Sequence, residues 1–297
     1  MKRVVVCGQA VVDFVFSLPA MPDKPEKYRA DDVTIIGGGG GANAAVAIAR
    51  LGGKADLVAR LGDDPIGDMV LSGLGDEGVG CSLIRRFVDS RSAFSSVYLD
   101  SSGERQIVAF RGNGLKSDAG WLKDLPAAPL DAAMVDTRWP EGALQVLKTA
   151  RKAGVPAVVD AEAPTDPVLV AAATHIAFSE QGLRHYSLGL DPETALRMIH
   201  EDHGAWVAVT LGAEGVLAFG AKGIERIPSY PVRVVDTLGA GDIWHGAFTL
   251  ALAEGEKETE AARYANACAA LKCTRVGGRA ASPTRAEVSA LMEETVG

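Results

Sequence analysis

The chain has 297 residues, 47% of them hydrophobic and 23% charged, with a formal net charge of -8 and a sequence pI near 5.2. That length suits one large α/β domain carrying an appendage, and the composition calls for a sizeable buried core and excludes a disordered chain. The acidic balance argues against nucleic acid and anionic membrane surfaces as partners, but a small anionic ligand stays open because local basic residues can outweigh the global field.

The opening MKRVVVCGQAVVDFVFSL superficially has the form of a signal peptide, but Gln9 and Asp13 interrupt the apolar run and no small-residue cleavage pattern follows. It reads instead as a buried strand over Arg3–Cys7. Next come an Ala-rich helix over Ala42–Leu51, a strand over Ala55–Leu61 and a helix over Ile66–Glu77, stopped by Gly78. The apolar runs Ala132–Val135, Ala157–Val159, His175–Phe178 and Ala205–Val209 alternate with helical patterns such as Gly142–Ala153 and Pro192–Glu201. Such alternation predicts parallel strands with crossover helices on both faces. The end of the chain is helical, over Ala240–Glu254, Thr259–Val276 and Thr284–Glu294.

Two segments break the rhythm. Asp13–Ile36 is extended and carries Pro19, Pro22 and Pro25, and Ser92–Phe110 reads as the strands FSSVYL and RQIVAF joined by the turn DSSGE. Together, as about 13–36 and 92–111, they are expected to form a small antiparallel sheet inserted into a single domain spanning 1–297. Such a sheet makes either a lid over the strand C-termini, where open α/β sheets bind ligands, or an edge extension of the main sheet. No run approaches the roughly 20 apolar residues of a membrane span. Cys7, Cys81, Cys268 and Cys273 form no CxxC pair, so reduced thiols in a cytoplasmic protein are expected.

The stretch VDTLGAGDIWHGAF (235–248) places Gly239, Ala240 and Gly241 directly before a long apolar helix. Glycines there permit a tight turn, and the free N–H groups and positive end of the following helix make an anion hole. Asp242, in the first helical turn, is placed to take a proton from a hydroxyl that attacks a phosphorus held in that hole. The same residues also suit an ordinary helix start with a capping aspartate. In IIGGGGGANAAVAIARLGG (35–53), five glycines precede a helix whose first polar residue is Asn43. Gly37–Gly41 would let backbone approach a polyhydroxy ligand closely, with Asn43 offering its amide to the hydroxyls; a hinge before a core helix is the alternative. Neither a Walker loop nor a dinucleotide fingerprint is present. Asp13, within VVDFVF, is either a carboxylate for sugar hydroxyls or a strand-end solvent contact. His245 shares a helix face with Asp242, but without a nucleophile elbow it is expected to be a hydrogen-bonded structural histidine.

In this order, Asp13 after the first strand, the GGGGGAN run and the late DTLGAGD resemble the ribokinase-like carbohydrate kinases, as do RLGDDPIG (60–67) and VTLGAEG (209–215). The resemblance runs essentially end to end. It implies a three-layer α/β sandwich with a mainly parallel central sheet and a small β-sheet lid, ATP as donor and Mg2+ as helper. It further implies that Asp242 is the base and that Gly239, Ala240 and Gly241 form the anion hole. Asp13, Gly38, Gly39 and Asn43 would hold the sugar. Thr210, Gly212 and Gly215 would line the nucleotide, with Ser179 beside it and Asn266 near the adenine. A monovalent cation, K+, would sit near carbonyls of Asp236, Leu238 and Cys273. The family's Asn-x-x-Glu pattern is broken here: the matching stretch reads FSEQGL, with Ser179 for the Asn and Gly182 for the Glu, leaving Glu180 as the candidate metal carboxylate.

The stretches LKCTRVGGRAASP (271–283), AFSEQGL (177–183) and VDTRWPEG (135–142) look like the sulfofructose kinase subgroup, which implies phosphorylation at C1 of 6-deoxy-6-sulfofructose. A sulfonate asks for a cationic pocket. Lys27 in the lid, Arg138 past an apolar strand, and Arg91 and Arg111 beside the lid hairpin are the candidates; each also reads as a solvated surface charge. Fructose 6-phosphate, a neutral ketose and a nucleoside are alternative acceptors, and a non-catalytic sugar or nucleotide sensor is the alternative of another class. The lid is expected to move, and its open apolar face to pair across a homodimer axis.

Overall fold

The computed structural model describes residues 1–102, 104–123 and 129–294. The strand β1 (Arg3–Cys7) lies inside a nine-stranded sheet, parallel to β4 (Lys54–Gly62) on one side and to β8 (Ala132–Val135) on the other. Its residues alternate between two cores: Val4 and Val6 join one, Val5 and Cys7 the other. That two-sided burial is why the strand is almost continuously apolar. Beyond β8 the sheet continues through β9 (Ala157–Ala161), β10 (His175–Ser179) and β11 (Trp206–Thr210), all parallel; beyond β4 it ends at β5 (Ile84–Phe87). Two further strands, β12 (Val216–Gly220) and β13 (Gly223–Ile227), were not expected; they extend the other edge as an antiparallel hairpin.

Helices cover both faces. On one side lie α1 (Gly40–Arg50), α2 (Pro65–Asp76), α7 (Ala240–Glu254), α8 (Glu258–Cys273) and α9 (Arg285–Glu294); on the other, α3 (Pro140–Ala153), α4 (Pro167–Ala172), α5 (Glu180–Tyr186) and α6 (Pro192–His203). The helix expected to run to Val276 stops at Cys273. Gly277 and Gly278 have positive φ (124° and 54°), and the Cys273 carbonyl is captured by the N–H groups of Val235 (2.7 Å) and Asp236 (3.1 Å).

The separate small sheet has the order β3–β2–β6–β7, from β2 (Val11–Leu18), β3 (Asp32–Gly38), β6 (Phe94–Asp100) and β7 (Arg105–Phe110). It is antiparallel within each hairpin, as expected, but β2 and β6 join in parallel, because they come from distant parts of the chain and both run outward from the body. Gly103 of the DSSGE turn lies outside the described residues. Asp64 secures the root of this sheet: its carboxylate accepts from the Ser92 N–H (2.8 Å) and hydroxyl (2.7 Å) while also capping α2 through Gly67 N–H (2.8 Å).

The glycine run is not a loop. Gly37 and Gly38 close β3, Gly40 and Gly41 open α1, and only Gly39, at φ 93°, links them. Each contact explains one glycine. A Cβ on Gly38 would overlap the Asp13 carboxylate, and one on Gly37 the Arg279 guanidinium. A Cβ on Gly41 would lie 2.7 Å from the Cα of Gly8, so α1 starts in backbone contact with the end of β1. Gly41→Ala is therefore expected to cost about 1–3 kcal/mol of unfolding free energy, read as a lower urea midpoint at unchanged slope.

Candidate active site

At the C-terminal ends of the central strands, around the point where chain order reverses between β1 and β8, three carboxylates converge on Gly40. A Cβ placed there would come within 3.4 Å of Asp242 Oδ1, 3.6 Å of Asp136 Oδ2 and 3.8 Å of Asp160 Oδ2. Asp136 directly follows β8, Asp160 lies in β9, and Asp242 stands in the first turn of α7. Asp136 accepts three backbone N–H groups, from Gln9 (2.7 Å), Gly41 (3.2 Å) and Arg138 (2.9 Å).

Gly239 caps α7 in the left-handed region, φ 77°, which only a residue without Cβ adopts readily. Ala240 N–H is donated to the Thr237 carbonyl (3.1 Å) and Ile243 N–H to Gly239 (3.0 Å). The helical geometry leaves the N–H groups of Gly241 and Asp242 as donors for an outside acceptor. Burial, then the nearby charges of Asp160 and Glu162, push the Asp242 carboxyl up to about 7, against the opposing pull of a hydrogen bond from Asn43 and the charge of His245. Burial likewise raises Asp160 well above the usual carboxylate range, helped by Glu162 and Asp136, and raises Asp136 despite its three N–H donors. His245 is buried, its Nδ1 2.8 Å from the Gly241 carbonyl and its Nε2 3.2 Å from that of Ala177 and 3.5 Å from Asp160 Oδ1, in keeping with a structural role.

Asn43 donates its amide to Asp242 Oδ2 (2.7 Å), so it holds the aspartate directly, and its buried Oδ1 has no partner. On the small sheet Asp13 accepts a short hydrogen bond from the Ser95 hydroxyl, its pairing partner on β6, and burial raises its pKa. Asp13, Gly38, Gly39 and Asn43 thus lie along one path from the small sheet into α1.

The four expected cations are scattered. Arg138 lies beside the carboxylates, and its Nη2 pairs with Glu162 Oε2 at 2.7 Å. Lys27 is exposed between β2 and β3, Arg91 is exposed with its guanidinium 4.8 Å from the Phe110 ring centre, and Arg111 is exposed after β7. Trp139 is buried, under the Arg60 guanidinium and stacked on Trp121.

Farther along the same strand ends, Ser179 and Thr210 are register partners on β10 and β11. The Thr210 hydroxyl bonds the Phe178 carbonyl (3.3 Å), and Ser179 caps α5 through Gly182 N–H (3.0 Å). Gly212 and Gly215, at φ 57° and 89°, bound the turn after β11. Asn266 is buried with its amide engaged: it accepts from Trp244 Nε1 (2.8 Å) and donates to the carbonyls of Ile227 (3.2 Å) and Pro228 (2.9 Å). It braces the 227–228 segment, whose Ile227 carbonyl lies against Gly215.

The metal expectations fit less well. Glu180 points to solvent and pairs with Arg184 (3.1 Å), and among the described residues no group of three Asp, Glu, His or Cys side chains is arranged to hold a metal. Of the three carbonyls named for K+, two are engaged: that of Cys273 by two N–H groups and that of Asp236 by the Lys272 ammonium (2.8 Å). Sequence reasoning missed Asp136, Asp160, Glu162, Gly8 and Lys272. The first two carry a signal in retrospect, an aspartate closing an apolar strand in AAMVD and AVVDA.

The model of the pfkB family carbohydrate kinases matches residues 1–285. A ribokinase of Bacillus subtilis is 31% identical over 98% of this chain and 100% of its own length. Among solved structures, a ribokinase candidate from Agrobacterium tumefaciens is 37% identical with a TM-score of 0.90, over 99% of this chain and 98% of its own. An Arabidopsis thaliana ribokinase, solved with ribose and ATP, is 26% identical with a TM-score of 0.86, over 99% of both chains. With the α/β sandwich, the small sheet and the helix-start aspartate, these similarities establish that the chain belongs to the pfkB family of carbohydrate kinases.

Proposed function

We propose that this chain transfers the γ-phosphoryl group of ATP to a sugar hydroxyl, with Asp242 as the base. The observation that carries the reading is Asp242 itself, next to free N–H groups at the start of α7 and held by Asn43. Asp242 takes the hydroxyl proton as the sugar oxygen forms its bond to the γ-phosphorus and the bond from that phosphorus to the β,γ-bridging oxygen breaks, releasing ADP. The N–H groups of Gly241 and Asp242, with Gly239 shaping the turn, face the charge on the transferring group. Asp13 orients the sugar through its hydroxyls, and Thr210, Gly212, Gly215 and Ser179 line the nucleotide. Mg2+ would arrive on the nucleotide phosphates, where such ions keep most of their ligands, and would neutralise phosphate charge there.

For the acceptor we propose a ketose with an anionic end, 6-deoxy-6-sulfofructose attacked through C1, supported by Arg138 beside the carboxylates and by Lys27 on the small sheet's long connection. An arriving sulfonate would bind the Arg138 guanidinium through the N–H groups that Glu162 leaves unused. A neutral sugar such as ribose is the second reading, favoured by that same Arg138–Glu162 pair, which neutralises the cation. Val33, Ile35 and Val108, which the register places on one face of the small sheet, opposite the face that carries Asp13, are each at least half exposed and support a homodimer through this sheet. Four free thiols support a reducing, cytoplasmic setting.

Asp242→Asn is expected to lower kcat by about 10²–10⁴-fold while ligand binding persists. Because a base works only when ionised, kcat/KM of the unaltered protein should fall as pH drops through about 7, the value to which Asp242 is pushed. Asn43→Ala removes a bond that favours the ionised form, so this acid limb should move to higher pH. In an ATP-consumption assay with Mg2+ over sulfofructose, fructose 6-phosphate, fructose and ribose, preference for sulfofructose that is lost in Arg138→Ala would support the anionic pocket. Preference for a neutral sugar would leave Arg138 as the partner of Glu162. Sedimentation should give a dimer; a concentration-independent monomer would end that part of the reading.

A further inference from the structure

The loop feeding the start of α7 is held by a charge that belongs to the protein. Lys272, in the last turn of α8, has no solvent exposure, and its ammonium donates to both the Asp236 carbonyl (2.8 Å) and Asp236 Oδ2 (2.8 Å). Asp236 Oδ1 accepts from Leu238 N–H (2.9 Å), and Thr237 accepts from Ala240 N–H (3.1 Å). A chain of bonds thus runs from Lys272 through Asp236 to the turn that presents Gly241 and Asp242. The ammonium also sits at the negative end of α8, where a cation is favoured. The residues Val235 and Asp236 dock on that same helix end through the Cys273 carbonyl. The Asp236 and Cys273 oxygens that a free monovalent cation would use are therefore already engaged, and an ion placed there would face the like charge of the Lys272 ammonium with little water to screen it.

We propose that the Lys272 ammonium stands in for a monovalent cation, ordering the 236–241 turn from within, so that this kinase has no requirement for K+. A potassium ion and an ammonium carry the same charge and are similar in size, and both are satisfied by carbonyl and carboxylate oxygens. The tethered ammonium differs in being present in every folded molecule, so the turn is organised before any ligand arrives. Lys272 is a positioning residue that acts through Asp236 and touches neither sugar nor nucleotide. The inference rests on the kinase reading only in its kinetic consequence; the ion preference of the folded protein does not depend on that reading.

The test starts with the unaltered protein in chlorides of potassium, sodium, caesium and tetramethylammonium at matched ionic strength. Turnover of the preferred sugar is expected to agree within about twofold across the four, and activation by K+ of about tenfold or more would overturn the proposal, as a coupling of ordinary allosteric size. Unfolding midpoints in the same salts provide a readout without turnover. They should not distinguish K+ from tetramethylammonium, and a K+-specific rise would overturn the proposal even if no sugar were phosphorylated. Lys272→Ala should have a lower midpoint and a turnover that K+ or NH4+ restores but tetramethylammonium does not. A folded Lys272→Ala whose losses no small cation reverses would reduce Lys272 to a packing role and overturn the proposal. Should that variant not fold, the salt series on the unaltered protein decides.

Discussion

Three backbone N–H groups from separate parts of the chain meet on the Asp136 carboxylate: Gln9 after β1, Gly41 in the first turn of α1 and Arg138 after β8. A buried carboxylate is tolerated only when its oxygens are so occupied, and here the occupancy fixes the geometry of the crevice. Asp136 ties the two central strands to the helix that carries Asn43. Asn43 in turn holds Asp242, so the position of the candidate base depends on a residue that need not touch any ligand. The contact of Gly8 with Gly41 belongs to the same arrangement, since a side chain on Gly8 would overlap the Asp136 carboxylate.

The electrostatics of this crevice look unfavourable for a polyphosphate, because Asp136, Asp160, Glu162 and Asp242 gather in a chain that is already acidic. Burial moderates this. The Asp160 carboxyl is pushed well above its usual range and Asp242 to about 7, so near neutral pH the cluster carries less charge than its formal count. Glu162 is balanced by Arg138. The cluster therefore remains compatible with an anion at the N-terminus of α7, and one proton on Asp242 decides whether the candidate base can accept another.

What the sequence made legible was whatever is local. The strand–helix alternation, the two segments of the small sheet and the GAGD start of α7 each sit in one contiguous stretch whose pattern has one dominant physical reading. The glycine run was legible as a feature but not in its geometry. Its five members serve a strand end, a one-residue link and a helix start, and the reasons lie in Asp13, Arg279 and Gly8, none of them a sequence neighbour. Asp136 and Asp160 were invisible for the same cause: an aspartate at a strand end matters only through the elements that gather round it. Lys272 is the sharpest case, since a lysine in an Ala-rich helix reads as a solvated charge until its partner, 36 residues earlier, is known. The β12–β13 hairpin was missed because its residues lie beside a block read for its turn glycines.

The joints of the small sheet set how force can pass through this molecule. Between β3 and α1 there is a single residue, Gly39, and between β1 and β2 there are only three, Gly8, Gln9 and Ala10. A sheet hung on such short joints cannot swing without load on them. Because β2 and β6 pair side by side, the two hairpins turn as one plate. Any tilt of that plate would load Gly39 and the 8–10 link, and Gly39 stands only four residues before Asn43, like a door whose hinge pin also works the latch.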